Sequence, residues 1–325
     1  MYTGTSIIKN KPIAVAPAPT ISYLIDDVGQ DASVALSFRK LREAYTGDCI
    51  IVEKEDGGTT QAIGFDANGI LDTAAIATFC GSSRGLIQTW YDQSGKGKNF
   101  TATGTSTRPI IYDGSAVTTF DSYNGNGNTR IACYSGATVT STSGTGTRFL
   151  QATGMEATRY PTVTMVSQIN TYNGIGIIHN EYGNGYGFGT YNNNGGNFGQ
   201  WYINNSAGSN LTTIGAVGEI PHDGTDAGAL TTYFNDDAGA GTSWWDMRSY
   251  QGNIATKTGT YSCFGFNTAN YEDVRIMAFT PATALYSNNA TAEFIYWDFN
   301  GAQESLDSTQ RTELTDNLEE FYSMS

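Results

Sequence analysis

A chain of 325 residues with 39% hydrophobic content can bury a sizeable core, and the length suits one large all-β domain or two ordinary ones. The formal charge of −14 excludes an electrostatic footprint for phosphate backbones, so no nucleic-acid partner is expected. With 39 glycines, 20 tyrosines, seven prolines and 15% charged residues, the composition is that of many short strands joined by tight turns.

Residues 1–20 carry Pro12, Pro17 and Pro19 among small residues, which predicts an extended N-terminal arm. Ile7, Ile8, Ile13 and Val15 give that arm apolar anchors suited to docking on a neighbouring subunit. The arm contains no apolar run of signal-peptide length, and no segment approaches the roughly 20 apolar residues of a membrane span. A cytoplasmic origin and no membrane partner are therefore expected, with residues 21–325 forming a single domain.

Within that domain the spacing of Val34, Phe38, Leu41 and Tyr45 predicts a first helix over 32–45, capped by Asp31 or Ser33. Arg39, Lys40 and Arg42 then fall on its outer face. Residues 49–54 and 59–65 read as strands joined by the turn Glu55-Asp56-Gly57-Gly58. Asp72 is placed to cap a second helix that buries Ile76, Phe79 and Cys80. The segment Trp90-Tyr91-Asp92-Gln93-Ser94-Gly95 reads as a turn in which Trp90 anchors in the core while Asp92 and Ser94 bond to nearby backbone. Between about 100 and 290, turn signals recur every 8–15 residues, a β-sandwich pattern of jelly-roll type. Residues 292–299 are rich in Phe, Ile, Tyr and Trp, as a core strand would be. Asp307 opens a third helix with Leu314, Leu318 and Phe321 as its buried stripe.

Cys49, Cys80, Cys133 and Cys263 are widely and irregularly spaced, which fits buried free thiols. His179 and His222 lie too far apart in sequence to suggest a His-rich metal site. Asn235-Asp236-Asp237 offers oxygen ligands for Ca²⁺ but lacks the spaced carboxylates of a calcium loop, so no cofactor or metal is expected. Asp236-Asp237, Asp246, Glu272-Asp273 and Glu293 read as solvated turns or surface charges. Aromatic residues crowd the Gly/Asn-rich middle. Tyr186, Tyr191, Trp201, Trp244 and Trp245 are candidates for stacking on sugar rings, and alternation along strands equally suits them to a core or a subunit interface.

Ala44-Tyr45-Thr46-Gly47, Ile63-Gly64-Phe65 and the Trp90–Gly95 turn, in that order, resemble the catalytic module of family 54 arabinofuranosidases. They resemble still more the concanavalin-like domains of phage virion proteins. The resemblance covers residues 30–130 strongly and 292–322 more loosely. It implies an all-β, concanavalin-like jelly-roll β-sandwich with a few short helices. The family's enzymes take a nucleophilic Glu from a Met-Glu-Asn-Asn strand end and an acid/base Asp from a Gly-Gly-Asp-Asn turn. Retention of configuration requires those carboxyls ~5 Å apart. The nearest segments, Tyr202-Ile203-Asn204-Asn205 and Gly265-Phe266-Asn267-Thr268, put Ile203 and Asn267 at those places. The family's vicinal Cys-Cys pair has no counterpart, and its Cys-x4-Cys disulfide is reduced to Cys80 with Gly85 at the second position. On this reading the chain has no catalytic residues. The expectation is a non-enzymatic virion structural protein, a phage head decoration, fibre or tail appendage, assembled with copies of itself and other virion proteins and able to bind glycans. The alternative is an arabinofuranosidase-like glycoside hydrolase or secreted lectin.

Overall fold

The computed structural model describes residues 22–124, 127–136, 148–154, 160–169, 177–179, 188–193, 197–204, 211–214, 228–235, 242–249, 255–260, 273–277, 289–299 and 305–324. The first half of the chain gives α1 (Leu24–Val28), β1 (Val34–Ser37), β2 (Ile50–Lys54), β3 (Thr60–Ile63), α2 (Thr73–Cys80), β4 (Gly85–Trp90), β5 (Phe100–Thr101), β6 (Ile110–Tyr112), α3 (Phe120–Asn124), β7 (Cys133–Tyr134) and β8 (Leu150–Thr153). The second half gives β9 (Tyr160–Ile169), β10 (Ile177–His179), β11 (Phe188–Asn193), β12 (Asn197–Asn204), β13 (Leu211–Ile214), β14 (Gly228–Asn235), β15 (Thr242–Ser249), β16 (Ala255–Thr260), β17 (Asp273–Ile276), β18 (Asn289–Phe299) and α4 (Ser308–Tyr322). Among the described residues every strand pairing is antiparallel, as expected for an all-β sandwich. A continuous ladder runs β10-β17-β8-β5-β4-β6-β7-β18-β9-β14-β15-β16, with β1 added to β18 and the β2–β3 hairpin to β4. Strands β11, β12 and β13 form a separate meander.

β18 is the organising strand. It is paired by β9 along its length, and by β1 and β7 along different stretches of its other edge. After a register shift between Thr291 and Glu293, its side chains alternate between two cores. Phe294 and Tyr296 join Val34, Leu36, Trp90, Phe100 and Ile111 in the first. Ile295, Trp297 and Phe299 join Leu24, Ile25, Leu314 and Leu318 in the second, beneath α1 and α4. A strand buried on both faces needs no polar alternation, which is why 292–299 reads as a nearly continuous apolar run.

The helix expected over 32–45 is not formed. Its place is taken by β1, followed by an irregular segment whose Arg39 bridges to Ile70. Of the residues taken for a helical stripe, Val34 and Phe38 also fit a period of two, while Leu41 enters the second core. Val34, Leu36 and Phe38 enter the first core, while Ala35 enters the second. Two-sided burial inserts an apolar residue at every position, so the 3.6 and 2 periods cannot be told apart over so short a run. Tyr45 is only half-buried, and Arg39, expected on the outer face, is 3% exposed.

The other local signals are found where the sequence places them. β2 and β3 pair through a turn in which Gly57 and Gly58 have φ of 91° and 65°, the left-handed region that favours glycine. Asp72 caps α2 by accepting from the Ala75 N–H at 2.9 Å. Asp307 and Gln310 form a reciprocal capping box at α4. Leu314 and Leu318 are buried as expected, with Tyr322 rather than Phe321 fully enclosed. The arm residues Ile7, Ile8, Ile13 and Val15 lie outside the described residues.

Candidate functional site

The Trp90–Gly95 turn is a clamp on β1. Trp90 is fully buried and stacks on Phe38, with ring centroids 4.3 Å apart and planes within 10°. Asp92 accepts from the Ala35 N–H at 2.9 Å, the Ser94 N–H at 2.9 Å, the Ser94 hydroxyl at 2.7 Å and the Lys98 N–H at 3.0 Å. Gln93, which the sequence reading passed over, completes the device. Its backbone N–H donates to the Ala35 carbonyl at 2.8 Å, and its side-chain amide donates to the carbonyls of Ser37 and Arg39 at 3.0 and 2.9 Å. Its side-chain oxygen accepts from the Leu41 N–H at 2.8 Å. With β18 on one edge of β1, these side chains satisfy the other edge as a further strand would. Asp92, with four donors on its carboxylate, is a structural group.

Opposite that clamp lies a buried ionic cluster. Glu293 Oε2 accepts from the Ser37 hydroxyl at 2.8 Å, from Arg39 Nε at 3.0 Å and from the Tyr322 hydroxyl at 3.0 Å. Its Oε1 accepts from Arg39 Nη2 at 3.2 Å. Glu293 is wholly buried, which corrects its reading as a surface charge. Burial alone would pull the Arg39 guanidinium down, but the facing Glu293 carboxylate, together with Tyr322 and Asp27, outweighs it and holds the group above its ordinary value. Burial and the same carboxylate push the Tyr322 phenol well up, so it remains a hydrogen-bond donor. The cluster could not be read from local sequence because Arg39 and Glu293 are 254 residues apart.

A groove of about 390 Å³ opens onto this cluster, lined by Phe38, Arg39, Ile70, Val117, Arg130, Ile131, Phe321, Tyr322 and three threonines. Phe321 is contacted by two cations, with the Arg39 guanidinium 4.2 Å and the Arg130 guanidinium 4.3 Å from its ring centroid. Burial, and to a lesser degree the Arg39 charge, lower the Arg130 guanidinium from its ordinary value, against an opposing pull from Tyr322.

The sugar-site candidates fall on strands whose backbone pairing is described. Tyr191 on β11 faces Gln200 in register, and Trp201 on β12 faces Thr190 and Ile214. Trp244 and Trp245 on β15 face Tyr233 and Thr232 of β14. The register thus puts Tyr191 and Trp201 on one hairpin and the Trp pair on the ladder. Tyr186 lies outside the described residues, as do Asp236, Asp237, His222, Cys263 and Asn267. Ile203 lies in β12, opposite Phe188 and Thr212. Among the described residues, no group of three His, Cys, Asp or Glu side chains could hold a metal, and no helix is long and apolar enough to cross a membrane.

The remaining buried carboxylate with a described side chain is also occupied: Glu53 is ion-paired with Arg108. Glu55, partly exposed, is held by Arg84 at 2.5 and 2.6 Å. None of these is free to attack or protonate a glycosidic bond. The Cys49, Cys80 and Cys133 thiols are unpaired and buried.

Residues 29–211 match the family described as Alpha-L-arabinofuranosidase B, catalytic. The alpha-L-arabinofuranosidase B of Aspergillus oryzae is 41% identical over 64 residues, which is 19% of this chain and 13% of that protein. The alpha-L-arabinofuranosidase of Hypocrea jecorina is 40% identical over 63 residues, with the same shares. Among solved structures, a GH54 a-l-arabinofuranosidase soaked with a cyclic sulfate inhibitor superposes with a TM-score of 0.59 at 14% identity, covering 91% of this chain and 64% of that one. An arabinofuranosidase complexed with arabinofuranosyl-alpha-1,2-xylobiose gives 0.59 at 15% identity, covering 90% and 64%. At such identities the superpositions show a shared fold. The matched stretch spans 13% of the length of the curated relatives, and the chain 64% of the solved structures.

These findings overturn the expected function. The matched family and the named relatives are glycoside hydrolases of Aspergillus and Hypocrea species, in place of phage decoration, fibre or tail proteins. The virion location and the assignment as a non-enzyme fall with that reading. The assignment rested on a loose alignment of two four-residue segments, which put Ile203 and Asn267 at the catalytic places, and on the two cysteine features that have no full counterpart. A match over 183 consecutive residues outweighs it.

Proposed function

We infer, because the chain belongs to the alpha-L-arabinofuranosidase B catalytic family, that it is a glycoside hydrolase acting on terminal α-L-arabinofuranosides. The observation that carries this reading is the family match over residues 29–211, and the superposition over 91% of the chain agrees with it. Hydrolysis of this kind takes two carboxyl groups flanking the bond, one as nucleophile and one as acid/base. Glu53, Glu293 and Asp92 are excluded by their engagements with Arg108, with Arg39 and with backbone donors. With those three set aside, the nine acids between residues 181 and 273, which include Asp246 on β15 and Asp273 on β17, are the first to be replaced. Trp201, in the β11–β13 meander, offers a flat face for the sugar ring, with Tyr191 on the other face of the same hairpin by register, and the neighbouring asparagines supply hydroxyl partners. The solved relative that holds arabinofuranosyl-alpha-1,2-xylobiose suggests the substrate class, an arabinofuranosyl branch on a xylan backbone.

The test is release of 4-nitrophenol from 4-nitrophenyl α-L-arabinofuranoside, followed by single Asp→Asn and Glu→Gln replacement of the nine acids. Two of the replacements should each lower kcat by about a thousandfold or more, in line with loss of a group that acts on the transition state. No turnover of this substrate or of an arabinofuranosylated xylo-oligosaccharide by the intact chain would defeat the assignment, and turnover that survives all nine replacements would defeat the placement of the pair between residues 181 and 273.

A further inference from the structure

We propose that the groove between α4 and the 117–131 segment is a binding site for a small organic carboxylate with an apolar body. Its charge balance is the starting point. Arg39, Arg130 and Glu293 meet around Phe321 and Tyr322, two positive charges against one negative in direct contact, with Asp27 acting on Arg39 from farther off. Glu293 is committed to Arg39 through two contacts at 3.0 and 3.2 Å. Among the described residues, Arg130 has no carboxylate within ion-pair distance. What holds it is the face of Phe321, 4.3 Å away. A half-buried guanidinium beside a like charge, in a chain of net charge −14 with acids to spare, is costly unless an anion joins it.

The geometry also says what kind of anion. The Arg130 guanidinium lies 4.3 Å from the Phe321 ring centroid, so swinging away would cost it that contact, and its planar N–H edge is left for a ligand. A planar carboxylate matches that edge with two parallel hydrogen bonds. The remaining walls are Ile70, Val117 and Ile131, apolar groups that would desolvate a hydrocarbon or aromatic body. About 390 Å³ lies within the range of small-molecule pockets, enough for a single substituted ring. Inorganic phosphate would satisfy the charge and leave those walls wet, so it should bind more weakly than a carboxylate of the same charge that carries a ring.

The probe is benzoate, titrated calorimetrically into the intact chain, with benzamide as the neutral isostere and inorganic phosphate as the bare anion. Benzoate should bind saturably with one site. Benzamide should bind about tenfold or more weakly, the ratio expected when a hydrogen bond to a charged group is lost. Arg130→Gln should reduce benzoate affinity to the benzamide level without changing benzamide affinity, and Arg130→Lys should keep part of the difference. Absence of saturable benzoate binding would overturn the proposal. So would equal affinity for benzoate and benzamide, or an Arg130→Gln protein that binds benzoate as well as the parent. Phosphate bound more tightly than benzoate would reject the apolar half of the site. If Arg130→Gln does not fold, the comparison of the three probes on the unaltered chain decides alone.

Discussion

Replacing Glu293 by Gln probes the buried ionic cluster with minimal change of shape. The carboxylate accepts four hydrogen bonds, three on Oε2 and one on Oε1. A Gln can present its oxygen at the Oε2 position and keep the donors from Ser37, Arg39 Nε and Tyr322. Its amide nitrogen then faces Arg39 Nη2, donor against donor, and the Arg39 charge is left buried without a counter-charge. Removing one partner of such a pair costs about 3–5 kcal/mol, a large share of the roughly 5–15 kcal/mol by which domains are stable. The measurement is urea unfolding followed by tryptophan fluorescence, with Trp90 and Trp297 both buried reporters. The midpoint should fall while the slope is unchanged. The triple variant Arg39→Met, Glu293→Leu, Tyr322→Phe removes charges and orphaned hydroxyl together and should recover at least half of the loss, since apolar replacements of whole buried pairs are often neutral. An E293Q protein within about 1 kcal/mol of the parent would show that water or a rearranged neighbour serves Arg39, and the account of the cluster would fail.

Asp92→Asn should cost about 1–3 kcal/mol, because at least one of four donors loses its acceptor in the clamp on β1. A melting temperature equal to the parent's would show that the turn closes without that carboxylate. Gly85→Cys should form a disulfide with Cys80. A Cβ built at Gly85 lies 2.9 Å from the Cys80 sulfur, close to the roughly 3 Å that separates the Cβ of one half-cystine from the sulfur of the other. Intact mass should fall by two hydrogens in that variant on mild oxidation, while all four thiols of the parent titrate in denaturant without reductant. Retention of five free thiols in the oxidised variant would show that crowding by Val52 and Tyr112, at 3.1 and 3.0 Å, displaces the new side chain.

What could be read from the chain divides by the range of the interaction. The caps Asp72 and Asp307, the Gly57-Gly58 turn and the Asp92–Ser94 bonds within the turn are set by residues within a few positions of one another, and each has the expected partners, whereas Trp90 on Phe38 and Asp92 on the Ala35 N–H reach across the fold. The segment 32–45 misled because a strand buried on both faces imitates a helical stripe over one or two turns. Arg39 misled with it: a basic residue beside a Lys reads as a solvated face unless its partner, Glu293, is known from the far end of the sequence. Gln93 carried no signal, since a glutamine in a polar turn ordinarily faces water, and only the unsatisfied edge of β1 draws it inside.

The same division explains how a chain can show its family in one stretch and its chemistry in another. Of the motifs that carried the resemblance, Trp90–Gly95 holds β1 to β4 through buried contacts, while Ala44–Gly47 lies on the surface and Ile63–Phe65 is buried only at Ile63. Trp90 on Phe38 and the Asp92 and Gln93 clamp are both of this kind. A sugar site makes the opposite demand. Its stacking faces and hydroxyl partners belong to strand ends and loops, where a Tyr or Trp at an alternating position serves a core or a ligand with the same local pattern. A frame conserved by packing therefore identifies the fold and the family early, and a catalytic pair must be located by its effect on turnover. That is why two four-residue segments were too short a basis for denying activity, and why the carboxylate scan between residues 181 and 273 is the decisive experiment on function.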